Sequence, residues 1–381
     1  MTHSPLVADQ FSLTAIEFFA GIGLARAGMS EAGIKTIWAN DWDTSKFEMY
    51  TQQWSSTHFV HADVFTVDGT EVPNADIAWS SSPCTDLSLA GKRSGISGTE
   101  SSAFFGFINV LEGMGDRRPK VVLLENVVGL ASSHGGDDLR AALKAFNELG
   151  YAVDAITIDA RRFIPQSRPR LFILAASNPI DGGTHDTALR PDWLAWVHKD
   201  PGIHSFKFPF PAIPELLTSG FTNEIEAMEY NDSRWWPQSR VDSFLQSMSE
   251  TQRTRVEAFI FADQIQARTA YRRTRSGHPT WEMRADDIAG CLRTARGGSS
   301  KQAVAVMGHG KIKVRWMTSK EYARLMGAGW YNITGIKDSQ VHYGFGDAVA
   351  VPAVSWLARH ALSPLAEYSK EIQKIEQLSR Q

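Results

Sequence analysis

The sequence predicts an α/β protein: a Rossmann-like, mostly parallel sheet with helices on both faces, interrupted late in the chain by a smaller inserted domain. Three observations carry this. Short apolar runs of parallel-strand length alternate with helix-period segments through residues 1–180. A glycine turn joins the first such run to the first helix. Periodicity fades after Asn178, where Pro, Gly, Trp and Arg are scattered, and returns at Thr318.

Thr14 to Phe19 is the first strand, and a helix follows over Leu24 to Glu31. Lys35–Ala39, Asp76–Ser80 and Lys120–Leu124 are further buried-type strands. Between the last two, Phe104, Ile108, Leu111 and Met114 recur at helical spacing. Leu139 to Leu149 is an amphipathic helix that stops at Gly150, and Ala152–Ile158 and Leu171–Ala175 are strands. Thr318-Ser319-Lys320-Glu321 has the form of a capping box, starting a helix that runs to about Met326. Val349–Leu362 reads as a last core helix, and the final ~15 residues as a loosely held polar one. The expected division is 1–180 for the first part of an α/β domain, 181–313 for the insertion and 314–381 for the return.

Composition narrows the function classes. No apolar run reaches the roughly 18–20 residues that cross a bilayer. The polar start, Met1 to Leu13, has no signal-peptide core, so the expected location is cytoplasmic. Two cysteines, Cys84 and Cys291, exclude a disulfide scaffold and a multi-cysteine zinc site, and no metal is expected. The net charge is −3, yet Arg234 to Arg315 holds 15 Lys/Arg against 7 Asp/Glu. Such asymmetry fits one domain facing phosphate, and equally a solvated basic surface.

Glu17-Phe18-Phe19-Ala20-Gly21-Ile22-Gly23 ends a strand and opens a helix, and Gly21 and Gly23 permit close approach of a ligand. Arg26 occupies the place of the third glycine of a dinucleotide fingerprint, which disfavours a nicotinamide oxidoreductase. Asp41, 20 residues after Gly21, ends the second strand where ribose hydroxyls are bound, and Trp42 offers a ring to an adenine. Asp63, followed by Val64, lies where a third strand would end. Asp76 to Cys84 is a strand running into a Pro83-Cys84 turn, the strand end at which such folds place chemistry, and a thiol there can serve as a nucleophile. The Gly/Ser-rich stretch that follows carries Lys92 and Arg93, suited to touching phosphate. Glu125 ends another apolar run, where burial favours the neutral, proton-donating acid. In Gln166-Ser167-Arg168-Pro169-Arg170 the alternation sends one guanidinium to the site while the other supports the fold.

The ordered set Phe-Ala-Gly-Ile-Gly, Pro-Cys, Glu-Asn-Val and Gln-x-Arg-x-Arg resembles the DNA cytosine-5 methyltransferases, over Ile16 to Ala175 and again over Arg315 to Leu362. The resemblance implies methyl transfer from S-adenosylmethionine to C5 of a flipped-out cytosine. It makes Cys84 the nucleophile at C6 and Glu125 the group that bonds or protonates N3, with Arg168 and Arg170 orienting Glu125 and contacting the base. Phe19, Gly21, Gly23, Asp41, Trp42, Asp63, Val64 and Pro83 match cofactor-holding positions, and Asp347, Ala348 and Val349 match a late motif that closes the cofactor site. The insertion takes the place of a target-recognition domain, with Arg293, Arg296, Gly297, Gly298 and Ser299 as a groove-reading loop; Cys291 beside them reads as structural. The implied partner is double-stranded DNA; the setting is restriction–modification, with a cognate restriction endonuclease acting on the same site without stable association, or phage modification, and the sequence does not say whether such an endonuclease accompanies the chain. The expected state is a monomer with no membrane contact.

Thr85 stands where the family often has Gln, Ala103 where a bulkier residue often packs, and Asp347 where Asn is common. None removes a catalytic group. Two alternatives remain at this stage: an RNA (tRNA) cytosine-5 methyltransferase of the same lineage, and a catalytically silent DNA-binding protein on the same fold.

Overall fold

The computed structural model describes residues 11–83, 103–184, 186–275, 277–293 and 301–379. The chain divides into two compact units: Met1–Ile158, Pro169–Ile213 and Ala353–Gln381 form the first, Asp159–Arg168 and Pro214–Pro352 the second.

The first unit is built on a seven-stranded sheet: β1 (Leu13–Phe18), β2 (Ile34–Asp41), β3 (Phe59–His61), β4 (Ile77–Ser80), β5 (Val121–Val127), β6 (Ala152–Asp159) and β7 (Pro169–Ala176). Their order is β3-β2-β1-β4-β5-β7-β6. The first five strands pair in parallel, and β7 runs antiparallel to β5. Strand order reverses between β1 and β4. In open α/β sheets such a switch point leaves a crevice outside the strands' carboxyl ends. Helices α1 (Leu24–Glu31), α2 (Thr44–Trp54), α3 (Ala103–Gly113) and α4 (Asp137–Glu148) connect the strands. α2, which the sequence does not announce, begins where the Asp43 side chain accepts the Lys46 N–H at 3.0 Å. Phe104, Phe107 and Leu111 of α3 and Leu139, Leu143 and Phe146 of α4 pack with Phe18, Val122 and Leu124 in one buried cluster. Burial of each such side chain contributes roughly 1.5–3 kcal/mol.

The compact units part at other residues than the composition suggested. Residues 181–213 pack on the first sheet. Val153 forms a parallel bridge with Ser205, and the Asp154 carboxylate takes Arg190 Nε at 3.0 Å, the Phe208 N–H at 3.0 Å and His198 Nε2 at 3.3 Å. A buried ion pair, invisible as periodicity, thus moves the division from 181 to 213. At the other end residues 314–352 group with the second unit, not with the α/β domain: Arg315 and Trp316 pair with Val304 and Ala303 in one sheet, and the buried Glu321 accepts the Glu226 N–H at 2.7 Å. The helix Ser363–Ser379 is docked over its first turns: Leu365, Ala366 and Ser369 are buried, and Lys370 Nζ reaches Asp76 at 3.0 Å.

The second unit holds a four-stranded antiparallel sheet of β8 (Gln266–Arg275), β9 (His278–Met283), β10 (Ala303–Gly308) and β11 (Lys311–Trp316), in the order β11-β10-β8-β9. Val241, Phe244 and Met248, in and just after the helix Gln238–Gln246, and Val256 of the helix Glu250–Ile260 pack on Ala270, Met283, Ala305 and Val314. The capping box is formed: Thr318 Oγ1 accepts the Glu321 N–H, and Glu321 Oε2 accepts the Thr318 N–H at 2.8 Å.

Candidate active site

The carboxyl ends of β1, β2, β4 and β5 bring Phe19, Gly21, Asp41, Pro83 and Glu125 to one edge. After β1 the chain turns through Phe19, Gly21 and Gly23, with φ values of 54°, 56° and 80°. A left-handed phenylalanine is uncommon and costs about 1–2 kcal/mol, a strain that sits at the site. Gly21 N–H donates to Asp41 Oδ2 at 2.8 Å, and Asp43 N–H donates to Asp41 Oδ1 at 2.9 Å. Asp41 is therefore held rigidly at the mouth of β2, and burial raises its pKa above the usual carboxylate value. Gly23 has a different reason from the one its motif suggested: a Cβ there would overlap the Trp54 indole and the Tyr50 ring. Arg26, in the place of a third glycine, donates to the Tyr50 hydroxyl at 3.0 Å, contacts His58 Nε2 and lies 4.9 Å over the Trp54 ring. It ties α1 to α2 and to the start of β3. Trp42 is 66% exposed, its ring open to a planar partner. Asp63 is exposed with its side chain capping Phe65 N–H at 3.1 Å, and Val64 beside it is buried.

Glu17 was given no role by sequence reasoning, although an acid inside an apolar strand was the available signal. It is 1% exposed; Oε1 accepts the Arg26 N–H at 3.3 Å and Oε2 has no hydrogen-bond partner. Burial pushes its pKa up to about 8, against a weaker opposing pull from Arg26. The folded protein keeps this proton where the unfolded chain loses it. Stability therefore falls as pH rises from about 4.5 towards 8. Glu17→Gln is expected to match the wild type near pH 4.5 and to exceed it by a few kcal/mol, as an order of magnitude, at pH 8. Urea unfolding at both values checks this; a gap that does not grow with pH would refute the burial argument.

At the other side of the switch point, Ser80, Ser81, Ser82 and Pro83 leave β4 towards Cys84. Cys84, Lys92 and Arg93 lie outside the described residues, as do Thr85, Arg296, Gly297, Gly298 and Ser299. The approach to Cys84 is fixed from both neighbours. Ser81 N–H donates to the Phe18 carbonyl at 3.3 Å, and Asn126 Nδ2 donates to the Ser82 carbonyl at 3.1 Å. Asn126 is thus a positioning residue that the Glu-Asn-Val motif contained without revealing.

Glu125 is buried at the end of β5, and Arg170 Nε lies 2.9 Å from its Oε1. The antiparallel β7 makes this possible. Arg170, the second residue of that strand, lies opposite Val127, so its side chain is the diagonal neighbour of Glu125 on one face. A parallel strand would have carried its first residues to the opposite edge of the sheet.

Arg168 belongs to the second unit and is 1% exposed. Its Nη1 donates to the Leu292 carbonyl at 2.7 Å and to Cys291 Sγ at 3.5 Å; its Nη2 donates to the carbonyls of Gly346 at 2.9 Å and Ala348 at 2.5 Å. Both ends of the guanidinium are committed to main chain, so of the two arginines Arg168 is the one that supports the fold. It fixes the backbone around Asp347, which is exposed, while Val349 is buried. Cys291 is a partly buried thiol packed on this arginine, and Arg293 is exposed. Among the described residues no cluster of His, Cys, Asp and Glu could hold a metal ion, and no helix is long and apolar enough to cross a membrane.

The sequence matches the profile of the C-5 cytosine-specific DNA methylase family over residues 13–363. The chain belongs to this family. It is 26% identical to the Type II methyltransferase M.HpaII of Haemophilus parainfluenzae over 95% of this chain and 92% of that one. It is 30% identical to M.BsuFI of Bacillus subtilis over 52% of this chain; that match spans 42% of the relative's length. The structure of S. pombe Dnmt2 methyltransferase shares the fold with a TM-score of 0.61 at 18% identity, covering 93% of this chain and 99% of that one. The Rossmann-like reading of the first unit agrees with this fold.

Proposed function

We propose that this methylase transfers a methyl group from S-adenosylmethionine to C5 of a cytosine in a specific duplex DNA sequence, through a covalent Cys84–C6 adduct. The observation that carries the reading is the convergence, at one sheet edge, of the Gly21–Asp41 turn, the Asn126-tethered approach to Cys84, and the Glu125–Arg170 pair. The donor set fits the cofactor. Asp41 and Asp63 offer oxygens to hydroxyl and amine donors, and Trp42 offers a ring to adenine. The cofactor supplies an electrophilic methyl on a sulfonium.

The chain's own groups do the rest. Cys84, as the thiolate, adds to C6 of the flipped base. Glu125 bonds or protonates N3, neutralising the charge that addition drives onto the ring, and Arg170 holds the Glu125 carboxyl in place. C5 then takes the methyl; loss of the C5 proton to a base expels Cys84 and restores the ring. The 214–352 unit, with its basic stretch, is proposed to hold and read the DNA. The wider setting is restriction–modification, in the compartment that holds DNA.

Duplex DNA carrying 5-fluorocytosine tests this directly, because fluorine at C5 cannot leave as a proton does. With S-adenosylmethionine the wild type is expected to give a denaturation-resistant protein–DNA band that Cys84→Ala lacks. A band on RNA substrates and none on DNA would replace the DNA reading by the RNA one. Sequence-specific DNA binding without any adduct or transfer would leave a silent binding protein.

A further inference from the structure

The β8–β9 hairpin outruns the sheet that carries it. Among the described residues β10 pairs with β8 from Gln266 to Ala270 and no further, whereas β9 pairs with β8 from Ala270 to Arg275. Beyond Ala270 and Met283 the two strands continue as a free two-stranded ribbon of five further rows, Tyr271 with Glu282 up to Arg275 with His278. At about 3.3 Å per residue it reaches roughly 17 Å past the sheet.

The ribbon is rooted firmly. Trp281, across from Arg272, packs between Phe244 at 5.2 Å, Trp236 at 5.7 Å and Trp316 at 5.8 Å. Among its described side chains, Arg272 and Arg273 stand against Glu282 alone, with His278 at the end. Side chains alternate along a strand, so Arg272 and Arg273 face opposite sides of the ribbon. Arg272 is exposed, and Arg273 is half-exposed beside Glu282 at 3.4 Å. Beyond Trp281 the ribbon offers no large apolar side chain to a core. It does match a duplex groove, which has phosphates along both walls and, on the major side, room for a two-stranded ribbon.

We propose that the 271–282 ribbon is a DNA-contacting element that enters the major groove, with Arg272 and Arg273 on phosphates of opposite walls. The inference rests on the reading of this chain as a duplex-DNA methyltransferase.

The test compares Arg272→Ala/Arg273→Ala with the wild type in binding to cognate duplex DNA across a salt series, alongside methyl transfer at saturating DNA. Two lost phosphate contacts should lower the slope of log K against log salt by about 1.8 and weaken binding roughly 30-fold at 0.15 M salt. The transfer rate at saturation should stay unchanged. Thr274→Glu, which adds a negative charge to the ribbon without removing a partner, should weaken binding in the same direction. Unaltered affinity and slope in both variants, with the wild type active on DNA, would overturn the ribbon alone. A wild type that binds no duplex DNA would overturn the functional reading and the ribbon with it. Equal weakening on single-stranded RNA would remove the duplex assignment.

Discussion

Glu125→Gln is expected to slow methyl transfer by about 10²–10⁴-fold while leaving affinity for DNA and cofactor within a few-fold of the wild type. The substitution is isosteric, so the end of β5 should keep its packing. Glutamine can still donate a hydrogen bond to a ring nitrogen, but it has no proton to give. It also replaces the carboxyl oxygen that lies 2.9 Å from Arg170 Nε by an amide oxygen. The missing interaction is made more strongly as charge develops on the ring than in the bound ground state, so the loss should appear in the rate at saturation and not in the Michaelis constants. Arg170→Gln leaves the carboxyl in place but unheld, and should fall between the two. Single-turnover transfer with saturating DNA and S-adenosylmethionine measures all three proteins. A Glu125→Gln rate within tenfold of the wild type would remove Glu125 from the chemistry.

The parts of this site legible in the sequence are those that end an apolar run. Phe19, Asp41, Ser80–Pro83 and Glu125 each lie in the last residues of a buried strand or just beyond it, and strand ends in an α/β sheet need no tertiary knowledge to find. Pairings across the sheet were not legible. Nothing local says that β7 reverses direction, yet this reversal decides that Arg170 is the guanidinium beside Glu125. The alternation of Arg168 and Arg170 announced one arginine for the site and one for the fold, without saying which. Asn126 was visible only as a letter in a motif, because its partner, the Ser82 carbonyl, is 44 residues away. The antiparallel sheet of the second unit was hidden for a different reason. β8 reads Gln-Ala-Arg-Thr-Ala-Tyr-Arg-Arg-Thr-Arg. Its buried positions, Ala267, Thr269 and Ala270, are small and partly polar, so the strand shows no apolar alternation. The limits of the units escaped composition because contacts distant in sequence set them, Asp154 with Arg190 and Glu321 with the Glu226 N–H.

Arg168→Met should be costly in a way that a direct role on the base would not produce. The guanidinium satisfies three carbonyls, of Leu292, Gly346 and Ala348, in a place that is 1% exposed. A thioether of similar length fills the space and donates to none of them, leaving buried acceptors unpaired at about 1–3 kcal/mol each. Allowing for local relaxation, a destabilisation of about 3–5 kcal/mol is expected, a fall in Tm of roughly 10 °C for a unit of this size. Lysine keeps the charge, but one ammonium cannot serve acceptors at both ends of the guanidinium's span, so Arg168→Lys should lose about half as much. The loosened backbone brackets Asp347, which the family resemblance puts at the cofactor. At temperatures where the variant stays folded, its KM for S-adenosylmethionine should therefore rise more than its kcat falls. Thermal unfolding followed by steady-state kinetics separates the possibilities. A Tm unchanged from the wild type together with a large loss of kcat would mean that Arg168 acts on the base, and that its bonds to the main chain are dispensable.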